Sequence, residues 1–221
     1  MTLQIRGLTT AYGRRVVLED VTATFGTGVH FIMGENGAGK STLLRSILGL
    51  QKHDGEVSWD GAPLVPEARL AAAVFDTAPA YTGLTGHQNI SVLSPESREG
   101  PARYLDDVKL SRRVSSYSHG ERMRLALMIA LNCPSPILLL DEPTNGLDRS
   151  AMTQLREDLV ALKGSRTMIL TGHNLEFFDT VADSVTLLRG GRLERIEDFR
   201  TTTKEVSIVQ LHDTCLAPGA R

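Results

Sequence analysis

The chain reads as an α/β protein, a mostly parallel sheet covered by helices, on three grounds. Short apolar strands alternate with helical stretches through its second half. A buried-strand candidate at 29–34 runs through a glycine-rich loop into a helical stretch. The composition is that of an ordinary globular protein, with 221 residues, 41% hydrophobic and 23% charged. A disordered chain combines low hydrophobicity with high net charge, and neither is present. The 24 Lys+Arg against 26 Asp+Glu leave a formal charge of −2. That balance provides no overall field to attract nucleic acid or anionic lipid, so nucleic acid is not expected as a partner. The longest apolar stretch, 125–140, is shorter than the roughly 20 residues a spanning helix needs. It also carries Asn132, Pro134, Ser135 and Pro136.

The elements follow in order. Partial alternation and β-branched residues predict strands at 3–10 and 16–25, and 29–34 is a short apolar strand ending in glycine. Leu43, Leu44, Ile47 and Leu48 have helical spacing within 39–50, which ends at Gly49 and the His53-Asp54-Gly55 turn. Residues 56–64 form a hairpin around Asp60-Gly61, and 71–76 is another buried strand. Residues 77–116 change character, with Pro79, Pro95, Pro101 and short helical pieces such as 101–110; this reads as an inserted subdomain. A helix at 120–132 follows. Then come a strand at 137–141, a helix at 149–162, a strand at 166–172, a helix at 174–182 and a strand at 184–190. The tail after about 204 carries no readable chemistry.

Cys133 and Cys215 lie far apart and match no metal-ligand spacing, so both read as free thiols. The start Met1-Thr2-Leu3-Gln4 lacks a basic segment followed by an apolar one. Together these lead us to expect a cytoplasmic location.

Two motifs carry chemistry. Gly34-Glu35-Asn36-Gly37-Ala38-Gly39-Lys40-Ser41 fits the phosphate-loop pattern at every fixed position. Its glycines let the backbone curl until successive N–H groups face phosphate oxygens. Lys40 would reach the β- and γ-phosphates, Ser41 would ligate Mg2+, and the following helix aims its positive end at the same charge. The second motif is Ile137-Leu138-Leu139-Leu140-Asp141-Glu142. A buried parallel strand delivers a carboxylate at its carboxyl end, where ligands bind in open α/β sheets. Asp141 is the metal-side residue. Glu142 points elsewhere and can take a proton from an attacking water.

With these motifs in order, residues 3–195 resemble the ATP-binding cassette ATPases, the nucleotide-binding subunits of ABC transporters. Tyr12 matches the aromatic that stacks on adenine. Residues 34–41 match the phosphate loop, with Thr42 beside it as a further nucleotide-binding residue, and 117–121 (Tyr117-Ser118-His119-Gly120-Glu121) match the signature loop, with Arg124 following. Residues 143–148 match the loop that crosses the dimer interface, and His173 matches the switch histidine. The resemblance implies a P-loop NTPase (RecA-like) core with an N-terminal antiparallel β subdomain and a small inserted α-helical subdomain. It places an ATPase domain over 1–204, the insertion over about 77–132, and a tail over 205–221. It implies MgATP bound by Tyr12, residues 34–42 and Asp141, with Glu142, His173 and Lys40 catalytic. Ser118 and Gly120 would act on a partner's nucleotide, because cassettes of this family pair head to tail as homodimers or heterodimers. It further implies a separate transmembrane permease, a peripheral place on the cytoplasmic face of the membrane, and transport, with export favoured. The segments 79–81 and 85–90 are similar to exporters of the bacitracin or lantibiotic type, and small haem-exporter ATPases are similar in size.

The chain departs from the pattern in places. Asp76 or Thr77 stands where the family has Gln. Being shorter, it would reach Mg2+ through a water or couple the site more weakly to a partner. His119 replaces a glycine and Glu121 a Gln. The rival readings are a cassette ATPase of cofactor assembly or another non-transport process, and a phosphate-loop kinase or GTPase. The GTPase base reader Asn-Lys-x-Asp is absent.

Overall fold

The computed structural model describes residues 1–76, 80–96, 100, 102–196, 199 and 206–216. Two sheets form the frame. β1 (Leu3–Tyr12), β2 (Arg15–Phe25), β4 (Asp54–Trp59) and β5 (Ala62–Pro63) make an antiparallel sheet in the order β2-β1-β4-β5. β3 (Gly28–Met33), β6 (Ala71–Val74), β7 (Ile137–Asp141), β8 (Thr167–Thr171), β9 (Ser184–Arg189) and β10 (Arg192–Ile196) make the second, ordered β10-β9-β3-β8-β7-β6. All its neighbours pair in parallel except β10 with β9. The helices are α1 (Lys40–Ile47), α2 (Gly86–Leu93), α3 (Asp107–Leu110), α4 (His119–Asn132), α5 (Arg149–Leu162), α6 (Leu175–Val181) and α7 (Ile208–Leu216).

Strand periodicity divides the core. In β7, Ile137 and Leu139 face one side, while Leu138 and Leu140 face the other. The first pair packs with Leu43, Leu44 and Ile47 of α1 and with Leu3, Ile5 and Leu8 of β1, so α1 lies between the two sheets. The second pair packs with Met123 and Leu127 of α4, Leu155 and Leu159 of α5, and Phe178 of α6. A parallel strand buried on both faces reads as a continuous apolar run, as ILLL does. In the Asp60-Gly61 turn between β4 and β5 both residues have positive φ, 49° and 83°, the hairpin geometry that matches strand twist.

The structure refines several sequence expectations. α2 was hidden inside the insertion. Its start is a capping box in which Thr85 accepts from Gln88 N–H and the Gln88 side chain accepts from Thr85 N–H. The helical piece expected at 101–110 reduces, among described residues, to Asp107–Leu110, capped by Asp106. The tail holds α7, and the hairpin strand β10 follows the Gly190-Gly191 turn.

Candidate functional site

The phosphate-loop motif sits where its chemistry requires, between β3 and α1. Gly37 and Gly39 have φ of 80° and 108°, a region that penalises side chains. A Cβ on Gly34 would lie 2.6 Å from the Leu188 carbonyl oxygen, and one on Gly39 would lie 3.0 Å from Val17. The loop is thus clamped between β9 and β2, and only glycine permits it. Lys40 is 8% exposed, and its Nζ donates to the Gly34 and Glu35 carbonyls at 2.7 and 3.1 Å. Burial pushes its ammonium below the usual lysine range, against the pull of Glu142 and Asp141. Its side chain arches over the loop and sets a buried cation against it. Thr42 is buried and Ser41 half-buried in the first turn of α1.

The carboxylates meet this cation from β7. Asp141 is buried and accepts from Thr171 Oγ1 of the neighbouring β8 at 2.6 Å. Glu142 follows immediately with φ 55°, a strained conformation for a long side chain that costs about 1–3 kcal/mol. That turn redirects it to His173, whose Nε2 lies 3.2 Å from Oε1. Its other oxygen, Oε2, is buried and has no hydrogen-bond partner among the described residues. Burial raises its carboxyl above the usual carboxylate range; His173 and Lys40 pull it back, and Asp141 adds to the rise. His173 is brought close by Gly172, where a Cβ would strike the Phe178 ring at 2.4 Å. Lys40, Asp141, Glu142 and His173 therefore form one cluster at the carboxyl ends of β3, β7 and β8.

The other expected residues lie around that cluster. Tyr12 ends β1, pairs with Arg15 across the β1–β2 turn, and is 47% exposed. Ser118 caps α4 with a capping box, accepting from Glu121 N–H while the Glu121 carboxylate accepts from Ser118 N–H at 2.8 Å. Lys109 ion-pairs with Glu121 and holds that carboxyl low. Gly120 touches the 143–148 loop so closely that a Cβ would lie 2.2 Å from the Gly146 oxygen. Asp148 caps α5 and pairs with Arg124 of α4. Among the described residues, no hydrogen bond links Ser118 or Gly120 to the phosphate loop. Asp76 accepts from Asn145 Nδ2 at 3.3 Å and lies 4.0 Å from His119 Nε2, so its described contacts face the 117–121 loop. Thr77, the alternative at this position, falls outside the described residues.

Sequence reasoning missed the role of Thr171 on Asp141 and of Asn145 on Asp76. Hydrogen bonds between separate strands and loops leave no local signal. No group of three or more His, Cys, Asp or Glu among the described residues can hold a metal by itself, and no described helix is long and apolar enough to cross a membrane.

The ABC transporter family model matches residues 18–145. A lantibiotic transport ATP-binding protein of Streptococcus pyogenes is 30% identical over 202 residues, covering 86% of this chain and 88% of that protein. An ABC transporter ATP-binding protein of Treponema denticola is 33% identical over 208 residues; the chain spans 42% of its length. A Nod factor export ATP-binding protein of Sinorhizobium fredii is 32% identical over 210 residues, and the chain spans 61% of that protein's length. A solved ATP-binding subunit of an ABC transporter superposes with a TM-score of 0.85 at 27% identity, covering 96% of this chain and 98% of that one. With the phosphate loop, the strand-borne carboxylates and His173 already assembled, these likenesses place the chain: it belongs to the ABC transporter family, as an ATP-binding cassette of its transport-coupled ATPases.

Proposed function

We propose that the chain hydrolyses ATP in a site completed by a second cassette and so drives transport, more specifically export, through a separate transmembrane permease. The observation that carries the chemistry is Glu142: a half-desolvated carboxylate with one orphaned oxygen, set 3.2 Å from His173 and beside the buried Lys40. A raised carboxyl near a buried cation suits a group that accepts a proton and passes it on.

In this reading the backbone N–H groups of Glu35, Asn36, Gly37 and Gly39 cradle the phosphates, the Ala38 N–H closes the loop on the Glu35 carbonyl, and Lys40 neutralises charge on the β- and γ-oxygens. Tyr12 stacks on the base. Glu142 takes the proton of the attacking water, and His173 orients that water through its contact with Glu142. The donor set fits Mg2+, since the Ser41 hydroxyl and the Asp141 carboxylate are hard oxygen ligands and Thr171 engages only one Asp141 oxygen. One or two protein ligands suffice where phosphates supply the rest. Bound there, Mg2+ would neutralise phosphate charge. Ser118 and Gly120 reach the partner's nucleotide, from the helix end that presents free N–H groups. Export is supported by the lantibiotic transport and Nod factor export relatives.

Glu142→Gln tests this reading. The variant should retain ATP, lose turnover by roughly 10²–10⁴-fold, and elute as an ATP-dependent dimer in size-exclusion chromatography. Turnover equal to the unaltered chain would remove Glu142 from its role. Recovery of a membrane protein bound to the chain supports transport. Purification from membranes with none attached favours a cassette that works without a permease.

A further inference from the structure

The start of α4 is gripped from α3. Glu121 uses both carboxylate oxygens: Oε1 pairs with the Lys109 ammonium, and Oε2 accepts from the Ser118 N–H at 2.8 Å. The Lys109 and Glu121 side chains are 26% and 23% exposed, so the pair is largely withdrawn from the water that weakens open ion pairs. Lys109 holds the same loop a second time, through its backbone. Its carbonyl accepts from the hydroxyl of the buried Tyr117 at 2.7 Å. Gly86 of α2 leaves room for that hydroxyl, since a Cβ there would lie 2.6 Å from it. Arg122 then donates to the Tyr117 carbonyl at 2.9 Å. Residue 109 therefore meets the 117–121 loop at both ends, Tyr117 and Glu121, from a helix outside the sequence motifs.

We propose, on the reading that Ser118 and Gly120 face a partner's nucleotide, that Lys109 is a positioning residue: it fixes the start of α4 and cancels the charge of Glu121, so that this helix end can accept a phosphate. A helix N-terminus carries roughly half a positive charge and attracts phosphate for that reason. Glu121 lies in the first turn of α4, and once ionised it brings a full negative charge that reverses the sign there. Lys109 and the Ser118 N–H hold its carboxyl below the usual carboxylate range, so the negative charge is present at neutral pH. The lysine ammonium restores the balance. A Gln at position 121, as in the family pattern, would cap the helix without needing a cation. Here Lys109 and Glu121 stand together as a neutral pair in its place.

The test measures turnover in the full chain and, in the Glu142→Gln background, the ATP-dependent dimer by analytical ultracentrifugation, while thermal unfolding checks that each variant is folded. Lys109→Met keeps the side-chain stem and the backbone carbonyl but removes the cation. Turnover should fall at least about tenfold, and the dimer should need at least about tenfold more protein, because like charges meeting at an interface repel. ATP affinity of the single chain should not change, since its own nucleotide lies on the phosphate loop. Adding Glu121→Gln to Lys109→Met should restore both turnover and dimer. Unchanged turnover in the folded Lys109→Met chain overturns the proposal. A double variant as impaired as the single one also overturns it, because Lys109 would then act by packing and not by charge. Glu121→Gln alone gives an arm that needs no lysine variant: it leaves the cation unopposed and should tighten the dimer, and a weaker dimer overturns the proposal. A Glu142→Gln chain that forms no ATP-dependent dimer refutes the paired-site reading itself, a distinct result that removes the proposal with it.

Discussion

At the scale of single residues, function here comes from placing charges where water is scarce. Lys40 lies on two loop carbonyls and feels both carboxylates, so in the proposed site Lys40→Ala removes the cation that would face the phosphates. ATP affinity, read by nucleotide titration, should fall at least about tenfold. Glu142 presents a linkage effect. Burial holds its carboxyl above the usual range, so the folded chain retains that proton to higher pH than the unfolded chain does. The stabilisation this provides is full below the unfolded value and is lost as pH rises through the raised one. Ionised Glu142 therefore costs stability at neutral pH, and Glu142→Gln removes that cost. Thermal unfolding should show the variant more stable than the original at about pH 7, with the gap closing toward about pH 4. A gap that widens on acidification would contradict the assigned shift. Gly172 supplies a steric counterpart: Gly172→Ala drives a Cβ into the Phe178 ring at 2.4 Å and should displace His173.

At the scale of elements, helix starts do double work. Ser118 caps α4 and, in the proposed dimer, faces a phosphate. The two roles separate by substitution. Ser118→Ala loses the cap and should lower unfolding free energy by about 1 kcal/mol. Ser118→Asp caps as well as serine does but sets a negative charge against a phosphate. Denaturant unfolding should find Ser118→Asp as stable as the original chain while its ATPase activity is lost. Full activity would move Ser118 away from the nucleotide. The pairing of α4 and α5 through Arg124 and Asp148, with the Gly120–Gly146 contact, joins the 117–121 and 143–148 loops into one surface.

At the scale of the whole molecule, the segment after β6 is tied to the core by side chains as well as by apolar packing. Tyr104, almost fully buried, donates to Asp158 of α5 at 2.7 Å. Burial, reinforced by that acceptor, pushes the phenol above its usual range. Asn132 bonds both backbone groups of Ala102. Tyr104→Phe keeps the ring and loses the bond to a charged partner. Its expected cost in equilibrium unfolding is about 1.5–3 kcal/mol, with the phosphate loop untouched and ATP affinity therefore unchanged.

The amino-acid order alone settled the strand–loop–helix around 34–41, the carboxylates ending 137–142 and the order of the remaining motifs. Each is a local pattern in which spacing dictates chemistry: glycines for a curled backbone, an apolar run for a buried parallel strand. Neighbours far apart in the chain were settled by packing. Thr171 meets Asp141 across two strands, Asp76 turns toward Asn145 and His119, and α7 docks on α6 through Ile208 and Asp179. Those contacts depend on sheet order and helix docking, which arise from burying surfaces shared by the whole molecule. No window of sequence contains both partners, so folding had to bring them together.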